Sequence, residues 1–280
     1  MRITSTFFLL LLAGIASWVL WNQNPQFREI IQSYVENGEF LTLEARYSSE
    51  QIMKTHQEEL IPNSQYSFQD PTLKFYPYLL MEVKYTEHNR KTREGVILWS
   101  MVDGEMVIDT ESWQKTHGFE DTINARATRS DFLLINTLSK HRGSLSLSRL
   151  QHELGWEPED FKRAVESARQ KYLIIVNGNE ATLHFQHPNF NVPPHTRIHQ
   201  SLVTKPYHHA MRVDKRYSRR QIERISKAAF GYDFTVRNSK EVFLPVYSLE
   251  VLNPDGSTLT TYWNALNGQR IDTTYLTLSP

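Results

Sequence analysis

A stretch of seven residues that occurs twice constrains this 280-residue chain more than any other feature. Arg46-Tyr47-Ser48-Ser49-Glu50-Gln51-Ile52 returns as Arg216-Tyr217-Ser218-Arg219-Arg220-Gln221-Ile222, and the same landmarks follow each copy in the same order. Pro77 corresponds to Pro245, Glu82-Val83 to Glu250-Val251, Trp99 to Trp263, Gly104 to Gly268, and Asp109-Thr110 to Asp272-Thr273. The offset drifts only from 170 to 163, so the insertions are small and fall where turns belong. One supersecondary unit, used twice, is the natural reading.

Local patterns say what that unit is. Ser48-x-x-Gln51 and Ser218-x-x-Gln221 both have capping-box form, in which the Ser hydroxyl accepts from the N3 amide and the Gln side chain reaches back to the cap amide. A helix therefore starts at the same point in each copy, with Ile222, Ile225 and Ala229 on one face of the second and Ile52 and Leu60 on the first. Residues 40–45 and 210–215 read as strands leading in. Downstream, Leu79, Met81 and Val83 alternate onto one face of a strand, as Tyr247, Leu249 and Val251 do at the matching positions. Residues 96–102 and 258–266 follow as strands carrying the tryptophans. Asn253-Pro254-Asp255-Gly256 is a strong turn where the first copy has a longer charged loop at 86–95. Asp103-Gly104 and Asn267-Gly268 are dipeptides that favour type I′ hairpin turns. Each copy thus reads as strand, helix and three-stranded meander.

Tyr247-Ser248-Leu249-Glu250-Val251, Asp255-Gly256 and the run from Tyr262-Trp263-Asn264 through Gly268 to Asp272 resemble the PepSY family, a helix packed on a small antiparallel sheet. The resemblance spans at most about 130 residues over the two copies. The first copy departs from it at the 86–95 loop, and Met101-Val102-Asp103 stands where the family shows an acidic residue further upstream. Modules of that family are generally noncatalytic and extracytoplasmic and often bind or regulate peptidases. The resemblance therefore implies an interaction module.

Between the copies the pattern changes. Residues 131–141 (Phe132, Leu133, Ile135, Leu138), 147–154 and 158–172 read as three helices, the last with Pro158 at N1 and a Phe161, Val165, Ala168 stripe. Residues 173–176 and 182–185 then flank Asn177-Gly178 as a hairpin. Three helices and a β ribbon resemble a winged helix-turn-helix. The expected fold class is α+β, a duplicated helix-plus-antiparallel-sheet module with an inserted winged-helix-like domain behind an N-terminal transmembrane helix. Its segments are 1–24 (anchor), 25–38 (amphipathic connector), 39–127 (first module), 128–188 (winged-helix-like), 189–209 (His/Pro-rich linker) and 210–280 (second module).

Residues 3–21 carry no charge, and as a helix they would cover roughly 30 Å. With Arg2 before the span and Trp18 and Trp21 suited to an interface, the segment reads as an uncleaved anchor, N-terminus cytoplasmic and the bulk extracytoplasmic. A signal peptide cleaved near Gly14-Ile15-Ala16 is the competing reading. Lys plus Arg and Asp plus Glu each total 31, so no net field draws the chain to nucleic acid or anionic lipid. There is no cysteine, which removes disulfides, thiolate nucleophiles and Cys-ligated metals.

Third-helix charges bear on DNA. Residues 157–171 hold Glu157, Glu159, Asp160 and Glu166 against Lys162, Arg163, Arg169 and Lys171, with the acid at the end that would approach phosphate. Six of the eleven histidines fall within residues 184–209; such density could bind zinc or sense pH, but prolines and the lack of an intervening carboxylate favour a solvated linker. Ser112-x-x-Lys115 has the spacing of a Ser–Lys nucleophile pair but no accompanying motif. No catalytic residue, metal ligand set, cofactor or small-molecule substrate is assigned. Arg216, Arg219 and Arg220, on a basic stretch, are candidate partner-binding residues; Trp99 and Trp263 read most simply as paired core residues of the two sheets and join the candidates as binding anchors if exposed. The function expected is a membrane-anchored noncatalytic envelope protein that binds or scaffolds a protein partner. The alternative is a membrane-tethered DNA-binding regulator, and a hydrolase of envelope polymers comes third.

Overall fold

Two long antiparallel strands, β3 (Thr72–Thr86) and β12 (Thr235–Leu252), lie side by side at the centre, one from each copy of the repeat. Phe243 pairs with Pro77, and Pro245 with Phe75. Pro77 corresponds to Pro245 and Phe75 to Phe243, so the register maps onto itself when the copies are exchanged, as an isologous contact requires. The computed structural model describes residues 38–86, 91–185, 188–206 and 210–271. The anchor, all but the last residue of the connector, Asp272-Thr273, and His187, His208 and His209 lie outside them. Among the described residues, no helix is long and apolar enough to cross a membrane.

The chain is α+β, with an eleven-stranded, largely antiparallel sheet. From β3 it continues through β4 (Thr92–Ser100), β5 (Met106–Asp109) and β6 (Gln114–Lys115), and from β12 through β13 (Thr258–Asn264) and β14 (Arg270–Ile271), with the short β2 (Ser67–Phe68) pairing with the far end of β12. Leu79 pairs with Trp99, and its counterpart Tyr247 with Trp263. The charged 86–95 segment is less of a loop than expected. Arg93, Glu94 and Gly95 belong to β4 and pair with Tyr85, Lys84 and Val83.

The prolines sit where a strand changes neighbour. Pro77 accepts from the Met101 amide (3.0 Å), just past the last β3–β4 pair, and Pro245 accepts from the Ala265 amide (3.1 Å), just past the last β12–β13 pair. Beyond them, β11 (Met211–Arg212) lies parallel to β3 at Phe75, and β1 (Glu39–Leu43) parallel to β12 at Phe243. A residue without an N–H is tolerated at the break between two partners.

The outer edge of β1 is covered by β10 (Leu202–Pro206). Over the described residues 189–206 this corrects the expectation that 189–209 is a solvated linker. Phe190, Thr196 and Gln200 are buried, and the Thr196 hydroxyl donates to the Val107 carbonyl (2.6 Å) while accepting from the Leu98 amide (2.9 Å). Edge strands and buried peptide groups need partners, and this segment supplies them.

The helices cross over. α1 (Ser49–Thr55) and α7 (Arg219–Phe230) start at the expected caps, and both capping boxes form with both bonds present, while α2 (Gln57–Leu60) continues from His56 with no side-chain cap. Yet Ile52 and Leu60, from the first copy, pack on Leu249, Val251 and Trp263 of the second. Ile222 and Ile225, from the second, join Leu79, Met81, Val83 and Trp99 of the first. The strand-to-helix junctions hold this exchange: the Arg46 and Tyr47 amides donate to Ala265 (2.9 and 3.0 Å), and those of Arg216 and Tyr217 to Met101 (both 2.9 Å). Tyr47 lies against Gly268 and Tyr217 against Gly104, where an added Cβ would meet the rings at 3.2 and 3.0 Å. Both glycines have positive φ, 69° and 75°, but Asp103 and Asn267 do not, so neither turn is type I′. Their side chains instead accept from the Glu105 and Gln269 amides (both 3.0 Å), closing a wider loop.

The middle region comprises α3 (Phe119–Asn124), α4 (Arg129–Lys140), β7 (Ser144–Ser146), α5 (Leu147–Leu154), α6 (Pro158–Gln170), β8 (Ile174–Asn177) and β9 (Glu180–Leu183). Its three strands form a separate sheet in the order β7-β9-β8. Rather than projecting freely, it shares one core with the first copy. Phe119 stacks edge-on to Trp99 (4.7 Å) and Phe190 (5.1 Å) and meets Phe132 of α4 at 5.9 Å. Arg129 also donates to the Ala228 and Ala229 carbonyls at the C-terminus of α7, where a cation suits the helix dipole.

Candidate functional site

The five candidate partner-binding residues divide sharply. Trp99 and Trp263 are 0% and 1% exposed, which removes them as surface anchors. Each indole N–H is satisfied internally, Trp99 by the Gly104 carbonyl (2.7 Å) and Trp263 by the Thr261 hydroxyl (2.8 Å). Nor do they pair with each other, since they belong to separate cores on the two copies. The arginines are at the surface. Arg216 pairs with Glu120 and lies over the Tyr217 ring, Arg219 pairs with Glu223 (2.8 Å), and Arg220 is exposed with no ion pair among the described residues. Burial, with the Glu120 charge, pushes the Tyr217 hydroxyl up to about 12.

Chemistry concentrates instead in the hairpin end of the first copy. Asp103, buried, takes the Lys115 ammonium at 2.6 Å, and Lys115 lies over the Tyr78 and Trp113 rings. Burial alone would lower the Lys115 pKa, but Asp103 outweighs it and the ammonium is held charged. That fits a structural cation and not a general base for Ser112, whose amide is bonded to Asp109. Glu105 accepts from the Thr116 hydroxyl (2.7 Å) and the Gly118 (2.8 Å) and Glu120 (3.1 Å) amides, tying the start of α3 to the sheet. Burial nevertheless pushes its carboxyl up to about 7. Asp109 would likewise be raised by burial, but the Ser112 and Glu111 amides and Arg197 hold it below its usual range. His199 stands 3.6 Å from it. No group of three His, Asp or Glu side chains gathers to hold a metal among the described residues.

Two open grooves run along the seam where the middle region meets the repeat units. One, of about 590 Å³, lies between α4 and α6 and is bordered by Asp131, Trp156, Arg163 and Tyr232. The other, of about 690 Å³, is bordered by His117, Asp121 and Asn124 on the α3 side and Lys171, Tyr172 and His184 on the other. Both are of ligand-binding size. Each has an exposed tyrosine at its lip, Tyr232 at 95% and Tyr172 at 76%. Tyr172 adopts φ 56°, and its carbonyl receives His184 Nδ1 (2.8 Å). Between the grooves, Asp131 caps α4 through the Thr128 amide (2.7 Å) and takes Lys171 at 2.5 Å, pinning α4 to the end of α6.

Sequence reasoning missed both grooves, because their walls come from segments far apart in the chain. The Asp103-Gly104-Glu105 cluster was visible only as a turn. Signals for its second role were present in the pairing of two acids beside a glycine with Lys115 downstream. No protein-family model, curated protein or solved structure matches the chain.

Proposed function

We propose that this chain is a membrane-anchored, noncatalytic protein that binds a protein partner, with its bulk outside the cytoplasm. In this reading two PepSY-like α+β modules are interrupted by a winged-helix-like insert. The reciprocal register of the central strands and the order β7-β9-β8 below three helices support that architecture. The observation that carries the function is the pair of seam grooves, each with an exposed tyrosine, since tyrosines beside concave surfaces are frequent binding anchors. The basic outer face of α7, with Arg220 free among the described residues, supplies charge for an acidic partner.

A photocrosslinking residue placed at Tyr172 or Tyr232 of the full-length chain, in its native cells, tests this. A discrete crosslinked species from the tyrosine positions and none from exposed Glu58 is expected. Equal labelling from Glu58, or none from either tyrosine, overturns it. A compartment-sensitive reporter at Pro280 tests the topology.

The second reading, a membrane-tethered DNA-binding regulator, rests on the same insert. The ion pairs of Arg163 with Asp160 and of Arg169 with Glu166 on α6 speak against it, because they neutralise the cations that would meet phosphate. Salt-sensitive DNA retention by the full chain, lost on reversing Lys162 and Arg163, would favour it.

A further inference from the structure

The hairpin ends of the two copies meet, and Asn267 Nδ2 donates across the junction to the Glu111 carbonyl (3.0 Å). Between them lies a cleft of about 250 Å³, walled by Trp113 and Lys115 from the first copy and Asn264, Gln269 and Arg270 from the second. Trp113, Lys115 and Ile271 also wall a cavity of about 30 Å³, beside Tyr78 and Asp103. Asn264 is 1% exposed, and its Oδ1 is committed to the Leu266 amide (2.9 Å), yet its Nδ2 has no partner. The buried indole N–H of Trp113 has none either.

Every unmade bond among these groups therefore belongs to a donor. The side-chain amide acceptors in the wall are engaged, Asn267 Oδ1 by the Gln269 amide (3.0 Å) and Gln269 Oε1 by Asn267 Nδ2 (3.2 Å), and the Ser112 hydroxyl can act as donor or acceptor. Two cations reinforce the bias. The Lys115 ammonium has three N–H groups, of which Asp103 and the Tyr78 hydroxyl take two, while the nearest approach of Arg270 to Glu59 is a loose 3.5 Å. A carboxylate offers two acceptor oxygens and no proton, so it suits two unpaired donors flanked by two cations better than a hydroxyl-rich ligand, each of whose oxygens also brings a donor.

We propose that the cleft between the hairpin ends binds a carboxylate, either a small free acid or the C-terminus of a peptide. The site is distinct from the seam grooves and does not depend on the partner-binding reading. Its test is an NMR titration of the isotope-labelled full-length protein, following the Trp113 indole resonance, assigned with Trp113→Phe. Sodium acetate, an acetylated tripeptide acid, the same tripeptide as its C-terminal amide, and sodium chloride are compared.

A saturable shift is expected with acetate and with the peptide acid, and none with the amide or chloride. A peptide acid at least about tenfold tighter than acetate identifies a peptide terminus, and equal affinities identify a small acid. Asn264→Asp keeps the acceptor for Leu266 but replaces the free donor with an anionic oxygen, and should weaken binding by about tenfold or more. No saturable shift from either acid, an amide or chloride as effective, or unchanged binding in the Asn264→Asp protein would overturn the proposal.

Discussion

The hairpin end of the first copy and that of the second share one backbone design and differ in chemistry. Ser100 donates its amide to Glu105, and Asn264 donates to Gln269, both at 2.9 Å. Met101 and Ala265, the next residues, bond back to the two prolines. Where the first copy has Asp103 and Glu105, the second has Asn267 and Gln269, the corresponding amides. In the first copy the carboxylates grip the downstream chain, Asp103 holding Lys115 and Glu105 the start of α3. In the second, the amides bond to each other and to Glu111. A carboxylate is present where further chain must be anchored, and a neutral amide suffices where only a turn must close. Frame and attachment are thus separable.

The largest effect expected is from Asp103→Ala. Removing the anion strands a partly buried ammonium and should cost about 3 kcal/mol or more in urea unfolding, while Asn267→Ala should cost about 1 kcal/mol. Equal losses would erase the contrast. Next comes the exchange of helices. Ile52→Ala and Ile222→Ala should each cost about 2–4 kcal/mol. Hydrogen exchange should rise in 258–264 for the first and in 92–100 for the second, each in the opposite copy. Faster exchange within the same copy would refute the crossing.

Glu105 gives a smaller, pH-dependent effect. Its folded pKa of about 7 lies above the unfolded value near 4.5, so the native state binds the proton more tightly. That contribution is full below the unfolded pKa and is lost as pH rises through about 7. Glu105→Gln, which copies Gln269, should flatten this decline and leave the variant the more stable protein above neutrality; an unchanged pH slope would count against it. Smallest is the first helical turn, where Glu50 in one copy corresponds to Arg220 in the other. Arg220→Glu should stabilise α7 by about 0.3–1 kcal/mol, read as a rise in Tm, because the helix N-terminus favours an anion.

Much of the frame was legible. Ser48 and Ser218 were recognisable as caps because a capping box is complete within four residues, and the strand faces of Leu79 and Leu249 because alternation is local. The helix of residues 147–154 ends at Gly155 as expected, with φ 62°. Less legible were features that need a distant partner. β10 pairs with β1 across most of the chain, and no periodicity in 202–206 announces it. Trp99 and Trp263 carried a correct hint of equivalence, but whether a tryptophan is core or anchor depends on what covers it.

The sequence by itself determined that a unit is used twice, where each helix starts, and which face of each strand is apolar. Those properties depend on neighbours a few residues away. Only the tertiary structure decided which helix covers which sheet. Two copies present two similar apolar faces, and the stripes of Ile52 and Ile222 would suit either one. The choice is made where Tyr47 settles on Gly268 and Tyr217 on Gly104, each contact joining residues of opposite copies. Chain connectivity and close packing over that distance select the crossed arrangement, and a local pattern carries no record of them.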